Sequence, residues 1–337
     1  TVRFIPARSP ADPCTECRMY VTINHTCKNE KFEVNRLTNK KQLLLVDGMA
    51  LLFRAYYATA VYDRYMYNED GVPTNGVYGM LMHLFTAAKR FQPTHWAVCW
   101  DMGEKTFRND LFPDYKANRA APPEPLIPQF DLAKDAVRAC SIPGIGVIGY
   151  EADDCLGTIA HHVKDEIEVT ILTGDRDLFQ VLDDRVSVAF MQKGYGHYDV
   201  YTKERFLQEY GMEPEQWIDM KAFTGDAADH YPGVKGIGPK TAEKLIREFT
   251  TVENVLASLD QVRPTIRKKI EKDLEVLLLS KELATIRLDV PLQFSLDDAI
   301  IDVTALENSK KWLDEHVQGT ASIFRILDEW IKEGVFS

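Results

Sequence analysis

The segment 149–177, GYEADDCLGTIAHHVKDEIEVTILTGDRD, constrains the fold of the chain more than any other stretch. It holds five carboxylates in two clusters: Glu151, Asp153 and Asp154, then Asp175 and Asp177. The pattern between the clusters predicts a helix that begins near Asp153 and a buried strand, VTILTGD, that ends at Asp175. Both clusters therefore lie where a strand passes into a loop or helix. In an open parallel sheet that edge is where ligands bind.

Charge repulsion makes this segment a candidate metal site. Asp175 and Asp177 aim at one point, because alternate residues of a strand share a side. Two like charges about 4 Å apart repel by roughly 4 kcal/mol at an effective dielectric of about 20. Five converging carboxylates therefore require cations, and oxygen ligands suit hard ions such as Mg²⁺ or Mn²⁺.

The composition is that of an ordinary globular protein. The chain has 337 residues, of which 45% are hydrophobic and 27% charged, enough for one large domain or two modest ones. No stretch approaches ~18 uninterrupted apolar residues, so we predict no membrane span. The net charge of −11 argues only weakly against a nucleic-acid partner, because acids at a metal site need not make the binding face acidic.

The basic residues gather in three segments, and their distribution matters more than their sum. These segments hold Lys105, Arg108, Lys116 and Arg119; Lys235, Lys240, Lys244 and Arg247; and Arg263, Arg267, Lys268, Lys269 and Lys272.

Residues 1–41 lack clear periodicity, and we interpret them as an N-terminal tail and a candidate for disorder. Cys14, Cys17, His25 and Cys27 have spacings that suit a small zinc site, but a tail that happens to contain cysteines is the more common explanation. Six cysteines in a chain of this length do not indicate a secreted disulfide scaffold. We therefore predict a reducing, cytoplasmic location.

Alternating strands and helices follow, and they predict an α/β fold with a parallel sheet covered by helices. Buried strands are expected at 43–46, ending on Asp47, in HWAVCWD, ending on Asp101, in VTILTGD and in VSVAFM. From about 203 the pattern is helical, with helices expected at 204–210, 213–223, 240–249, 252–258 and 264–285. We expect a core at 42–202, a helical region at 203–292 and a C-terminal extension at 293–337.

Segment 105–128 mixes basic residues with Phe107, Phe112 and Tyr115. Such a mixture suits single-stranded nucleic acid, where cations follow phosphates and rings stack on bases. A solvated loop whose aromatic residues pack in the core remains an alternative. The prolines of the segment predict an interrupted element that projects from the sheet.

The stretch FTGDAADHYPGVKGIGPKTA supplies two further features. Asp226 and Asp229 are three residues apart and share a side if the turn is helical. Gly236 and Gly238 precede Pro239 at a helix start, whose free N–H groups suit a phosphate. An ordinary capping turn is the alternative, but Lys235, Lys240 and Lys244 favour phosphate binding.

Nine acids thus recur at strand ends or turns, in five segments of the chain: Asp47, Asp101, Glu151, Asp153, Asp154, Asp175, Asp177, Asp226 and Asp229. With the stretches FRNDLFPDYKANR and GVKGIGPKTA, they resemble the flap endonuclease family. The similarity is to the 5′–3′ exonuclease domain of bacterial DNA polymerase I and its stand-alone relatives. The motifs LLLVDG, GYEADD, TGDRDLFQ and GxxxD occur in family order over about 41–292.

The resemblance implies a PIN-like 5′ nuclease core, a helical arch at 105–128 and a helix–turn–helix region that grips duplex DNA. It implies that the nine acids hold two Mg²⁺ or Mn²⁺ ions or their waters, with Asp226 and Asp229 as the more distant pair. Arg54, Lys116 and Arg119 are expected near the scissile phosphate. DNA contacts are expected from Arg108, Lys235, Gly236, Gly238, Lys240 and Lys244, with K⁺ as a candidate cation at the 234–240 loop.

The resemblance also implies a nuclease that cuts DNA at 5′ ends or flaps. We expect it to be monomeric and, because no polymerase segment follows in the sequence, free-standing. One departure from the family is His230-Tyr231, where Asn-Ile is common. Two alternatives are a carboxylate-dependent ribonuclease and a DNA-structure-binding protein with weak or lost catalysis. A calcium-binding structural protein is disfavoured because no D-x-[DN]-x-[DN]-G loop occurs.

Overall fold

A six-stranded sheet forms the centre of the computed structural model, which describes residues 40–60, 65–103 and 105–333. Its strands are β1 Gln42–Asp47, β2 His95–Cys99, β3 Gly144–Ile145, β4 Glu168–Thr173, β5 Val186–Met191 and β6 Tyr198–Tyr201. Their order is β3-β2-β1-β4-β5-β6. The first five are parallel and β6 runs antiparallel to β5, so the prediction of a parallel sheet is confirmed except at this edge.

This strand order has a topological switch point between β1 and β4. From β1 the chain runs outward through β2 and β3 on one side, and from β4 through β5 and β6 on the other. Every residue of β1 is buried, as expected for a central strand covered on both faces. The carboxyl ends of β1 and β4 therefore frame the crevice in which ligands of such sheets bind.

Helices cover both faces of the sheet. They are α1 Gly48–Thr59, α2 Asn75–Phe91, α3 Phe107–Leu111, α4 Ile127–Ala139, α5 Ala152–Val163, α6 Lys203–Tyr210 and α7 Gln216–Thr224. On one face α1, α2 and α4 pack together, and Trp96 of β2 contacts Phe85 of α2. On the other face, side chains of α5 such as Leu156 and Ile159 pack on Leu43 and Leu45 of β1.

The helical region continues with α8 Pro239–Phe249, α9 Val252–Ala257, α10 Pro264–Lys272, α11 Leu274–Ala284, α12 Val303–His316 and α13 Ala321–Glu333. A short antiparallel pair, β7 Gly225–Asp226 and β8 Tyr231–Pro232, precedes α8. Helices α7 to α11 share a second apolar core around Phe223, Ile246 and Ile270. Helix α12 packs on α4 and α13 packs on α2.

The expected helix at 264–285 is in fact two helices, α10 and α11, which meet at Asp273. The Asp273 carboxylate accepts a hydrogen bond of 2.8 Å from the backbone N–H of Lys235. Its backbone has left the helical region, with φ −110° and ψ 30°. The break therefore coincides with a tertiary contact to the turn before α8.

Segment 105–128 is helical only in part. It contains α3, one 3₁₀ turn at Glu124–Leu126 and the first two residues of α4, with turns and extended chain between α3 and the 3₁₀ turn. Pro113, Pro122 and Pro123 account for the interruption, because proline lacks the N–H that a helix interior requires. Cys14, Cys17, His25 and Cys27, and with them the predicted tail and zinc site, lie outside the described residues. Of the described helices, none combines the length and apolarity needed to cross a bilayer.

Candidate metal centre

Asp47 joins the two strands that frame the switch point. It ends β1, and its Oδ1 accepts a hydrogen bond of 2.9 Å from the N–H of Ala50 in the first turn of α1. Its Oδ2 accepts one of 2.9 Å from the hydroxyl of Thr173, the last residue of β4. The carboxylate is buried, with 6% of the residue exposed.

Three more acids reach the same crevice from neighbouring elements. Asp101 follows β2 and accepts a hydrogen bond of 2.8 Å from the N–H of Ala152, at the start of α5. Asp153 lies in the first turn of α5. Asp175 follows β4 and accepts one of 2.8 Å from the N–H of Asp177. We call Asp47, Asp101, Asp153 and Asp175 the central carboxylates.

The electrostatics of the central carboxylates match a cation site. Burial, together with the charges of Asp101 and Asp175, raises the pKa of Asp47 to about 7. Burial and the charges of Asp175, Asp47 and Glu151 raise the pKa of Asp153 well above its usual range. Groups that oppose each other's ionisation are stabilised by a positive ion among them, and an all-oxygen donor set fits Mg²⁺ or Mn²⁺. Within the described ranges, however, no three His, Cys, Asp or Glu side chains are already arranged to hold a metal.

A second set of acids, Glu151, Asp177, Asp226 and Asp229, is paired with basic side chains, and we call it the paired carboxylates. Glu151 lies 2.6 Å from the Lys116 ammonium, and Asp229 lies 2.8 Å from the Arg119 guanidinium. The Tyr115 hydroxyl lies between these two acids, 3.2 Å from Glu151 and 3.1 Å from Asp229. Residues 115–119 are thus folded onto these acids, so this part of segment 105–128 does not project from the sheet as expected.

Lys116 is held in place by its backbone as well as its charge. Its φ of 58° lies in the left-handed region, and its N–H donates to the Asp229 carbonyl at 2.9 Å. Burial lowers the pKa of Lys116, but the charges of Glu151 and Asp229 outweigh burial and hold the pKa above its ordinary value. Lys116 is therefore a fixed positive charge at neutral pH beside two predicted metal ligands.

Lys221 of α7 bridges the other paired carboxylates, and the sequence interpretation missed it. Its ammonium lies 2.5 Å from Asp177 and also contacts Asp226. Burial and the charge of Asp175 raise the pKa of Asp177 to about 7, while Lys221 opposes that rise. The available signal was a lysine five residues before Asp226 in a helix. A metal held by Asp177 and Asp226 would have to displace this ammonium.

The roles predicted for Asp154, as a metal ligand, and for Arg108, as a DNA contact, need correction, because the structure gives both residues another role. The Asp154 side chain is fully buried and accepts hydrogen bonds from the N–H groups of Glu151 and Arg287 and two from the Arg108 guanidinium. Arg108 is 2% exposed and also donates to the carbonyls of Leu283 and Thr285. Asp154 has no lone pair left for a metal, and Arg108 cannot reach DNA. The pair instead fastens α3, α5 and the end of α11 together.

Arg54 lies on α1, the helix that Asp47 caps, and its guanidinium donates to the carbonyl of Gln192, just after β5. Burial lowers the pKa of the His83 imidazole, and the charge of Arg54 nearby lowers it further. The place of Arg54 near the scissile phosphate stays a prediction.

The predicted phosphate-binding turn precedes α8. Val234 and Ile237 are buried in the second core, while Lys235, Gly236, Gly238 and Lys240 are exposed. Gly238 is the N-cap of α8 and Pro239 its first residue, as expected. Lys244 is exposed one turn along the helix. The turn therefore presents backbone and lysines to solvent while two apolar side chains anchor it.

Two family models match consecutive parts of the chain. Residues 42–211 match the family model described as "5′-3′ exonuclease, N-terminal resolvase-like domain", and residues 212–307 match "5′-3′ exonuclease, C-terminal SAM fold". A 5′-3′ exonuclease of Bacillus subtilis is 55% identical over 278 residues, which cover 82% of this chain and 94% of that protein. DNA polymerase I of Bacillus caldotenax is 42% identical over 261 residues, which cover 77% of this chain but 29% of the polymerase.

Two solved structures share the fold. The T5 D15 protein, co-crystallised with metal ions, has a TM-score of 0.58 at 22% identity and covers 87% of this chain and 99% of its own. Flap endonuclease-1 from Methanococcus jannaschii has a TM-score of 0.55 at 16% identity and covers 88% and 93%. At these identities the likeness concerns the fold.

Proposed function

The chain belongs to the 5′–3′ exonuclease family, and from that membership we propose that it hydrolyses DNA phosphodiester bonds at 5′ ends or flaps, in replication and repair, with two Mg²⁺ or Mn²⁺ ions. The observation that carries this proposal is the convergence of Asp47, Asp153 and Asp175 at the switch point, where burial and mutual repulsion favour bound cations. We further propose a monomer that acts in the cytoplasm. The described cysteines support this location, since Cys99, Cys140 and Cys155 are all free thiols.

The metal ligands would come from both sets of acids. The central carboxylates would hold the ions directly, and the paired carboxylates would take part once their basic partners move. When bound, such ions supply an activated water and stabilise negative charge on the attacking and leaving oxygens. No Ser, Cys or His nucleophile is then required.

Lys116 and Arg119 would exchange partners when DNA arrives. Without DNA they neutralise Glu151 and Asp229, at 2.6 and 2.8 Å. Metal ions bound to the carboxylates would partly neutralise them. A DNA phosphate in the crevice would then attract Lys116 and Arg119 more strongly than the carboxylates do. Positive charge placed where the transition state gains negative charge lowers the barrier. Arg54 is proposed to add to this charge from α1.

Duplex DNA would be held at the turn before α8. The backbone N–H groups at the start of α8 suit a phosphate without reading a base. Lys235, Lys240 and Lys244 surround this point and are exposed, so they can add charge that follows the phosphate backbone. Binding at this turn would orient the duplex while its 5′ strand reaches the carboxylates.

One cleavage assay tests the proposal. A DNA flap labelled at its 5′ end is incubated with the protein with and without Mg²⁺, and product lengths are measured. Metal-dependent release of the flap supports the proposal, and product length separates cleavage within the strand from removal of single nucleotides. A protein that binds the flap but leaves it intact at every Mg²⁺ and Mn²⁺ concentration contradicts it.

One observation favours the alternative of a DNA-structure-binding protein with weak catalysis. The Lys221 ammonium lies between Asp177 and Asp226, where a second ion would be expected. A site blocked in this way would hold one ion and cleave slowly. The Mg²⁺ dependence of the cleavage rate distinguishes a two-ion nuclease from a weakly catalytic protein that holds one ion, because two cooperating ions give a steeper dependence than one.

A further inference from the structure

Lys269 of α10 and Asp273, which follows the end of α10, both bind the exposed turn before α8. The Lys269 ammonium donates a hydrogen bond of 2.7 Å to the carbonyl of Gly236. Asp273 accepts one of 2.8 Å from the N–H of Lys235. Asp273 is the C-cap of α10, and its N–H donates a hydrogen bond of 3.1 Å to the Lys269 carbonyl, so the two side chains leave the end of α10 about one turn apart. They hold the Lys235–Gly236 stretch through a donor and an acceptor at once.

The backbone conformation of Gly236 and its lack of a side chain suit this contact with Lys269. Its φ is +80°, a conformation that side chains rarely adopt, and a Cβ atom there would lie 2.9 Å from Lys269 Nζ and 3.3 Å from Cε. At Gly238, two residues on, a Cβ would meet nothing within 4 Å. The glycine at 236 therefore permits both the turn and the close approach of the lysine.

The ammonium occupies the place at which K⁺ was expected. An ammonium has three protons, and one of them is used on the Gly236 carbonyl. A potassium ion on the same carbonyl would stand beside a second positive charge, and two such charges repel by roughly 4 kcal/mol at about 4 Å and an effective dielectric of about 20. The turn as built does not fit K⁺, so that expectation is corrected.

We propose that Lys269 is a built-in cation that replaces a bound monovalent ion at this turn. It fixes the Gly236 carbonyl and leaves its two remaining protons for a DNA phosphate, so duplex binding does not depend on which monovalent cation is present. The inference rests on the proposed binding of duplex DNA at this turn. What it adds to that proposal is that duplex affinity does not depend on K⁺.

The test measures duplex affinity by fluorescence anisotropy in K⁺ and in tetramethylammonium, a cation too large to sit on a turn, at equal ionic strength and without divalent metal. Wild-type affinity should agree within about twofold between the two salts, because only ionic strength matters. Lys269→Met should bind about tenfold more weakly in tetramethylammonium and recover most of that loss in K⁺, which can now enter. Lys269→Arg, which keeps a cation, should stay indifferent.

Lys268→Met is the matched control, since Lys268 is the adjacent exposed lysine of α10. It should lose affinity equally in both salts. The inference is overturned if K⁺ strengthens wild-type binding at constant ionic strength, or if Lys269→Met behaves as Lys268→Met does. A separate result bears on the proposed function: if Lys240→Ala leaves duplex affinity unchanged in both salts, DNA does not bind at this turn.

Discussion

Arg108 and Asp154 form two parallel hydrogen bonds, of 2.7 and 2.9 Å, in a place that water does not reach. The pair links a residue of the 105–128 segment to the helix that carries Asp153. Removing one partner of a buried ion pair leaves the other charge uncompensated, which is more costly than losing the pair as a whole. We therefore expect the contact to contribute to stability rather than to catalysis.

Arg108→Met should lower the free energy of unfolding by about 3 to 5 kcal/mol, measured by urea denaturation. Arg138→Met is the control, because Arg138 pairs with Asp135 on the surface with 79% of its side chain exposed. Such a pair contributes at most about 1 kcal/mol. Adding Asp154→Leu to Arg108→Met should restore part of the loss. A single variant as stable as wild type would show that the pair does not fasten these elements.

Asp153→Asn should lower the rate of cleavage at least about a hundredfold while duplex affinity changes little, because one central carboxylate is lost and the phosphate-binding lysines remain. The same variant should unfold no more easily without metal, since burial and neighbouring acids already disfavour the charge of Asp153. Asp183→Asn, at a surface acid paired with Lys164, provides the control. Near-normal turnover in Asp153→Asn would contradict the assignment of metal ligands.

Lys116→Ala and Lys240→Ala should separate chemistry from binding. Lys116 lies beside Glu151 at the metal centre, so its loss should lower the single-turnover rate at saturating enzyme. Lys240 lies at the exposed start of α8, so its loss should weaken duplex affinity and reduce the slope of log K against log salt by about 0.9. Full rescue of Lys116→Ala by saturation, or no rescue of Lys240→Ala, would reverse this division.

His83 should make the protein less stable in mild acid. Burial, and secondarily the charge of Arg54, lowers the pKa of its imidazole to about 4. The unfolded chain binds the proton near pH 6.5 and the folded chain does not, so this stability is complete above pH 6.5 and falls as the pH drops toward 4. The loss from this residue between pH 7 and pH 5 is about 2 kcal/mol.

Urea denaturation of His83→Gln at the two pH values checks this expectation. The variant should be less stable than wild type at pH 7, because it lacks the ring contact with Tyr195, but it should lose less stability on acidification. His162→Gln, at an exposed histidine of α5, controls for general effects of removing an imidazole. An unchanged pH dependence in His83→Gln would show that the fold does not lower the pKa of this imidazole.

The long buried strands could be predicted because burial on both faces leaves an apolar run that ends at a polar residue. β1 and β4 satisfy this condition, and each is followed at or near its end by a central carboxylate. β3 has two residues and β6 has four, too few for a pattern to emerge. The break at Asp273 was missed because no glycine or proline marks it. It coincides with a contact to Lys235, 38 residues earlier.

The residue types of the site could be predicted, but not their environments. Arg108 and Lys116 are basic residues of one segment, and nothing local distinguishes them. Packing leaves the side chain of Arg108 3% exposed and that of Lys116 23% exposed, which makes one structural and the other available to DNA. Lys221 could be recognised as part of the site only from the fold, in which α7 places its ammonium between Asp177 and Asp226. Such differences arise from tertiary contacts, which a single sequence does not display.

Helix α13, near the end of the described chain, packs on α2, which lies more than 200 residues earlier in the sequence. Lys89 and Glu329 form an ion pair of 2.6 Å across 240 residues, and the rings of Trp96 and Trp330 lie 5.5 Å apart. Contacts so distant in sequence form late, because a long loop must close before they contribute. During synthesis the sheet and α2 leave the ribosome well before α13 does. The apolar surface around Trp96 is therefore uncovered for that interval, and we expect the nascent chain to be exposed to chaperones and to aggregation while the strands that carry the central carboxylates are already present.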